Sequence, residues 1–108
     1  MQLIKGPGTR AAPGAVSGDY VEHLRSERLS AGTYLIPAGG SDDQTPHRED
    51  EIYLVTAGRA RVVTDSGEAP VEPGDLIFVP AGEAHRFVDI TEDLALLVVF
   101  APAYTGRT

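Results

Sequence analysis

In the stretch TPHREDEIYLVTAGRA, residues 45–60, His47 and Glu51 stand four residues apart at the start of an apolar, β-branched run, with Glu49 and Asp50 between them. On a regular strand alternate residues share a face, which sets His47, Glu49, Glu51 and Tyr53 on one side and Arg48, Asp50 and Ile52 on the other. An imidazole and a carboxylate then converge. A second histidine, His85, opens a strand directly after the turn residues Pro80, Ala81 and Gly82, and Phe87 follows at the same parity. Two imidazoles and one carboxylate on inward faces of neighbouring strands make the facial triad of a divalent metal, with positions left for water or substrate. Any one of these histidines, or the acids alone, would be ordinary in a β protein; the joint spacing is what points to a metal. The chain has no cysteine. Disulfides, thiolate zinc sites and cysteine nucleophiles are thereby excluded, and ligands must be nitrogen or oxygen.

The neighbours admit two roles each. Tyr53 can hydrogen-bond a substrate or a ligand, or simply fill the core. Glu49 can serve as a general base, accept an imidazole N–H, or remain a solvated acid beside a turn. His23 has no such setting and reads as structural. Phe78, Phe87, Tyr34, Leu96, Val98 and Phe100 are candidates for the interior.

The elements that must position these groups are short. From Tyr20 onward, apolar or alternating runs such as RLSAGTYLI, IYLVTAG, ARVVTD, DLIFVP, HRFVDI and LALLVVF recur between turn signals, the pattern of an all-β sandwich or barrel. PAGG, DSGE, EPGD and PAGEA each supply the glycine a tight turn requires. YVEHLRSERLSAG admits helix or strand. Residues 1–18 mix Gly, Pro and small residues without a period, giving at most a short strand at 2–5 and then loop, or a strand that pairs with a second copy. Residues 19–108 form one domain, since 108 residues hold a single core. Nine basic residues are scattered among sixteen acids, for a net charge of −7, so no nucleic acid partner is expected. The longest apolar run, LALLVVFAPA, is half of what a spanning helix needs. A cytoplasmic protein with no membrane partner is expected.

The two histidine segments resemble the paired motifs of the cupin superfamily. In the first motif Gly39, Thr45, His47, Glu51 and Gly58 fall on the family's positions, with Thr45 in place of the first histidine. In the second, Gly74, Pro80, Gly82, His85 and Asp89 fall into line, with Asp89 for the usual asparagine. The chain is similar to small single-domain bacterial cupins carrying Gln-x-Pro-His, here Gln44 to His47, where others have His-x-His. The resemblance implies a double-stranded β-helix, a jelly-roll barrel of about eight to ten strands, paired as a homodimer. It implies one divalent metal ion per chain held by His47, Glu51 and His85. Gln44 or water would stand in for the missing histidine. Fe2+ is the first expectation, with Zn2+, Mn2+ or Ni2+ as alternatives. The family's activities then leave three readings: a mononuclear dioxygenase acting on a small organic substrate; a redox-neutral isomerase, cyclase or lyase with Glu49 or Tyr53 as proton carrier; or a cupin that binds a small molecule without turnover.

Overall fold

The computed structural model describes residues 1–8, 19–42 and 46–106. Gln44 and Thr45 lie outside the described residues. Within them the chain forms six strands and no helix: β1 (Asp19–Arg25), β2 (Ser30–Ile36), β3 (Asp50–Thr64), β4 (Gly67–Val71), β5 (Leu76–Val79) and β6 (His85–Ala101). No helix there is long and apolar enough to cross a membrane. All pairings are antiparallel, in the order β1-β2-β6-β3-β4, with β5 against the first part of β3. The ambiguous YVEHLRSERLSAG is a hairpin, closed where Ser26 N–H donates to the Leu29 carbonyl at 2.8 Å.

Fewer strands form than the turn signals suggest because β3 and β6, 15 and 17 residues long, each carry two of the expected runs. Their ladder slips register between Val55 and Ala57, Ala57 and Arg59, and Arg59 and Arg61. Such bulges bend and twist a strand without ending it. Gly58 sits at the bend with φ of +89°, and a Cβ there would collide with the Asp93 carbonyl and lie 2.7 Å from Leu94 Cα. The bend depends on a residue without a side chain.

The inner face buries Tyr34, Phe87, Leu96, Val98 and Phe100, as alternation predicts. Phe78 is a correction: it faces outward, 61% exposed, opposite Ile52. The run LIFV is apolar at every position, so its pattern does not say which parity faces the core, and Val79 takes that place at 2% exposure. Residues 2–5 form no strand. Gly8 lies against the outer side of β2 and β3, where its N–H donates to Thr33 Oγ1 at 2.6 Å and its carbonyl accepts from Thr56 Oγ1. His23 meets the same Thr33 hydroxyl at 2.6 Å, a structural contact.

Gly58→Ala is expected to cost roughly 3–5 kcal/mol, since it adds a backbone collision to a left-handed φ. Gly39→Ala, with φ of +75° and open space around it, should cost about 1 kcal/mol. Urea unfolding of both variants checks this; equal losses would show that the bend yields to a side chain.

Candidate metal centre

Burial alternates through the run-in to β3 and its first residues: His47, Glu49, Glu51 and Tyr53 are buried while Arg48, Asp50 and Ile52 are exposed. The alternation begins ahead of the strand itself, which starts at Asp50. His85 arrives from the other side by a short route. β5 pairs with the start of β3, and the turn that follows it is stitched to the same run-in: Gly82 N–H donates to the His47 carbonyl at 2.8 Å and Ala81 N–H to Asp50 Oδ1 at 2.9 Å. The outward Asp50 thereby fixes the turn from which His85 enters the barrel.

Three side chains meet there. One ligand atom each from His47, Glu51 and His85 lies within 4.8 Å of the others, and the residues are 6%, 1% and 4% exposed. Glu51 Oε1 stands 3.1 Å from His85 Nε2 and 3.7 Å from His47 Nε2. It nonetheless makes no well-aligned hydrogen bond among the described residues. A carboxylate oxygen and two ring nitrogens thus converge on one place, as donor atoms do around an ion.

Electrostatics and tautomer agree with that geometry. His85 Nδ1 lies 3.0 Å from the Glu83 carbonyl, so Nδ1 carries the proton and Nε2 presents its lone pair. Tyr53 O–H then donates to Nε2 at 3.0 Å. Burial pushes the His47 imidazole below its ordinary range, against the raising effect of Glu51. Burial would lower His85 too, but Glu51 and the Glu83 carbonyl outweigh it and hold that imidazole above the usual range. The donor set suits a divalent ion that accepts nitrogen and oxygen, and the residues present fit one.

Two other residues at the site, Asp42 and Tyr104, carry no local sequence signal. Asp42 is buried, accepting Tyr34 O–H at 2.7 Å and Phe87 N–H at 2.8 Å, and so ties β2 to β6. Tyr104, beyond β6, stacks on Phe100 at 4.4 Å and meets His47 edge-on at 5.4 Å. Its N–H donates to Ser30 Oγ at 2.8 Å, and its carbonyl accepts from the Arg25 guanidinium. Burial, then Glu49 and Glu51, push its hydroxyl up. Glu49 is no solvated acid: it is 2% exposed, and its Oε2 accepts Thr105 N–H and O–H at 3.2 and 3.0 Å.

Comparison with known proteins agrees with this architecture. A protein of Streptomyces coelicolor, SCO3923, is 44% identical over 88 residues, covering 82% of this chain and 84% of that one. DMSP lyase DddQ from Ruegeria pomeroyi is 28% identical with a TM-score of 0.66, over 70% of this chain and 39% of the lyase. KdgF from Halomonas, 19% identical, shares the fold with a TM-score of 0.76 over 88% of this chain and 87% of that one. Residues 32–100 match the family model described as the cupin domain. The antiparallel strands are those of a double-stranded β-helix, and the chain belongs to the cupin family.

Proposed function

We propose that the protein is a metal-dependent, redox-neutral enzyme of lyase or isomerase type, acting on a small organic substrate. His47, Glu51 and His85 would hold one divalent ion, and Tyr53 would carry the proton. When bound, the ion would supply Lewis-acid polarisation of a substrate carbonyl or carboxylate. The observation that carries the reading is the Tyr53 hydroxyl, buried and 3.0 Å from His85 Nε2. As long as Nε2 accepts from Tyr53, the phenol proton is held in place. An Nε2 that held the ion would no longer take that proton, and the phenol would be placed to exchange one with a substrate beside the site. The Glu83 carbonyl keeps the His85 ring in the tautomer this requires. Phe100 and Tyr104, packed on each other and on His47, keep water from that side. The 28% likeness to a lyase supports the reaction class.

The dioxygenase reading retains one observation in its favour: two imidazoles and a carboxylate are also the ligand set of non-haem iron oxygenases. The aromatic proton donor beside the site gives the redox-neutral reading its advantage.

Three outcomes follow. His85→Ala should fall from about one metal per chain to near none by elemental analysis while remaining a folded β protein. Chelation should lower the melting temperature of the native protein, because an ion at 100 times its Kd stabilises the folded state by about 2.7 kcal/mol; retained stoichiometric metal in His85→Ala would remove the assignment. For Tyr53→Phe, metal content should be unchanged. Exchange of hydrogen next to the carbonyl of a panel of keto and hydroxy acids in deuterated water should slow by roughly 10²–10⁴-fold. Undiminished exchange in that variant would refute the proton-carrier role, and oxygen uptake by the iron(II)-loaded protein would select the dioxygenase instead.

A further inference from the structure

We infer that Glu49 is a positioning residue for His47, which it orients through the segment that follows β6. The inference rests on the metal-centre part of the reading above, since what is positioned is one of the ligands. An imidazole that holds a metal is commonly oriented by a hydrogen bond on its other nitrogen, and His85 has that in the Glu83 carbonyl. The His47 ring is also set by two aromatic neighbours: Phe100 at 5.3 Å and 85°, and Tyr104 at 5.4 Å and 88°. Edge-to-face contacts are directional, and two of them restrict the turn of the ring. Phe100 is placed by the sheet, where it pairs with Glu51 and with Ser30. Tyr104 lies beyond the last strand, so its place depends on other groups.

Side chains from three other parts of the chain supply that hold. Tyr104 N–H donates to Ser30 Oγ at 2.8 Å, and its carbonyl accepts from the Arg25 guanidinium. Arg25 is half exposed and shared with Glu22. The next residue, Thr105, is held by Glu49, whose Oε2 takes both the N–H at 3.2 Å and the hydroxyl at 3.0 Å. Hydrogen bonds to a carboxylate are roughly twice as strong as neutral ones, and at 2% exposure Glu49 meets little competing water. Glu49 also lies two residues from His47 and two from Glu51 on the same buried face. The run that supplies two ligands therefore anchors the segment that braces one of them. Without that carboxylate Thr105 loses its anchor, the Tyr104 ring is freed, and His47 keeps Phe100 alone of its two aromatic braces.

The test reads the His47 ring and its metal separately. In the metal-free protein the ring protons of the three histidines are followed by NMR at one fixed pH, with His47→Ala giving the assignment. Glu49→Ala and Tyr104→Ala should both move the His47 signals. Glu49→Gln, whose amide oxygen still accepts from Thr105, should leave them near their native places, as should Tyr104→Phe. Zinc affinity is then measured by competition with a chromophoric chelator. Glu49→Ala and Tyr104→Ala should each bind zinc roughly 10–100-fold more weakly. Their double variant should bind no more weakly than the worse of the two, because the carboxylate acts through the ring. An equal loss in Glu49→Gln and Glu49→Ala would assign the effect to charge and overturn the inference. So would costs that add in the double variant, or His47 signals unmoved by Glu49→Ala. Should Glu49→Ala fail to fold, Thr105→Val decides: it removes the hydroxyl donor at an exposed position, and unmoved His47 signals there would overturn the inference equally. A native protein that binds no zinc would sink the enzyme reading, while the ring signals would still decide whether Glu49 orients His47.

Discussion

A carboxylate that is 1% exposed and lodged between two imidazoles, its Oε1 without a well-aligned hydrogen bond among the described residues, is the constraint on which the rest of this barrel depends. An ionised carboxylate in such a place costs several kcal/mol unless positive charge compensates it. His85 holds its proton on Nδ1, toward the Glu83 carbonyl, and burial pushes the His47 imidazole below its ordinary range, so both rings face the carboxylate as neutral bases. One acid and two bases at that spacing are matched to a small doubly charged ion. Glu51→Leu would be simpler to bury, and the retention of a charge there is an argument for function over packing.

Holding the three groups together is a problem of long range, since Glu51 and His85 sit on strands whose ladder runs the opposite way. His85 pairs with Thr64 at the far end of β3, whereas Glu51 pairs with Phe100 at the far end of β6. Their side chains meet because both strands bend at the bulges around Gly58, and because β5 brings the chain back to the start of β3 before β6 begins. The turn hydrogen bonds to the His47 carbonyl and to Asp50 complete the circuit. The bend is as much part of the site as the ligands are.

The parity of His47, Glu49, Glu51 and Tyr53 was legible because alternation on an extended chain is a local property, and here it survives ahead of the strand proper. The two motifs carried the barrel for the same reason: turns and glycines are read within a few residues. What the pattern could not carry is non-local. The slips in the β3–β6 ladder have no signature in either strand alone, so two continuous strands read as four. Phe78 lies in a run that is apolar on both faces, and only the pairing with β3 decides its direction. Asp42, Tyr20 and Tyr104 act through partners far away in sequence, and a polar loop residue that accepts Tyr34 O–H and Phe87 N–H looks like any other acid until the chain is folded.

Register then joins fold to chemistry. Residues two apart on one face are about 7 Å from each other along an extended chain, so the run from His47 to Tyr53 lays out four functional positions in a line. A ligand comes first, then Glu49 facing Thr105, then the central carboxylate, then the phenol that reaches His85. A slip of one residue would turn all four to solvent and bring Arg48, Asp50 and Ile52 inside, exchanging a compact donor set for an arginine and an unpaired acid. The pairs Glu51 with Val79, Tyr53 with Ile77 and Glu51 with Phe100 exclude that slip, because they set apolar partners on the inward face at the one register in which the polar groups face each other. The packing of β5 and β6 against β3 therefore selects the chemistry as well as the fold.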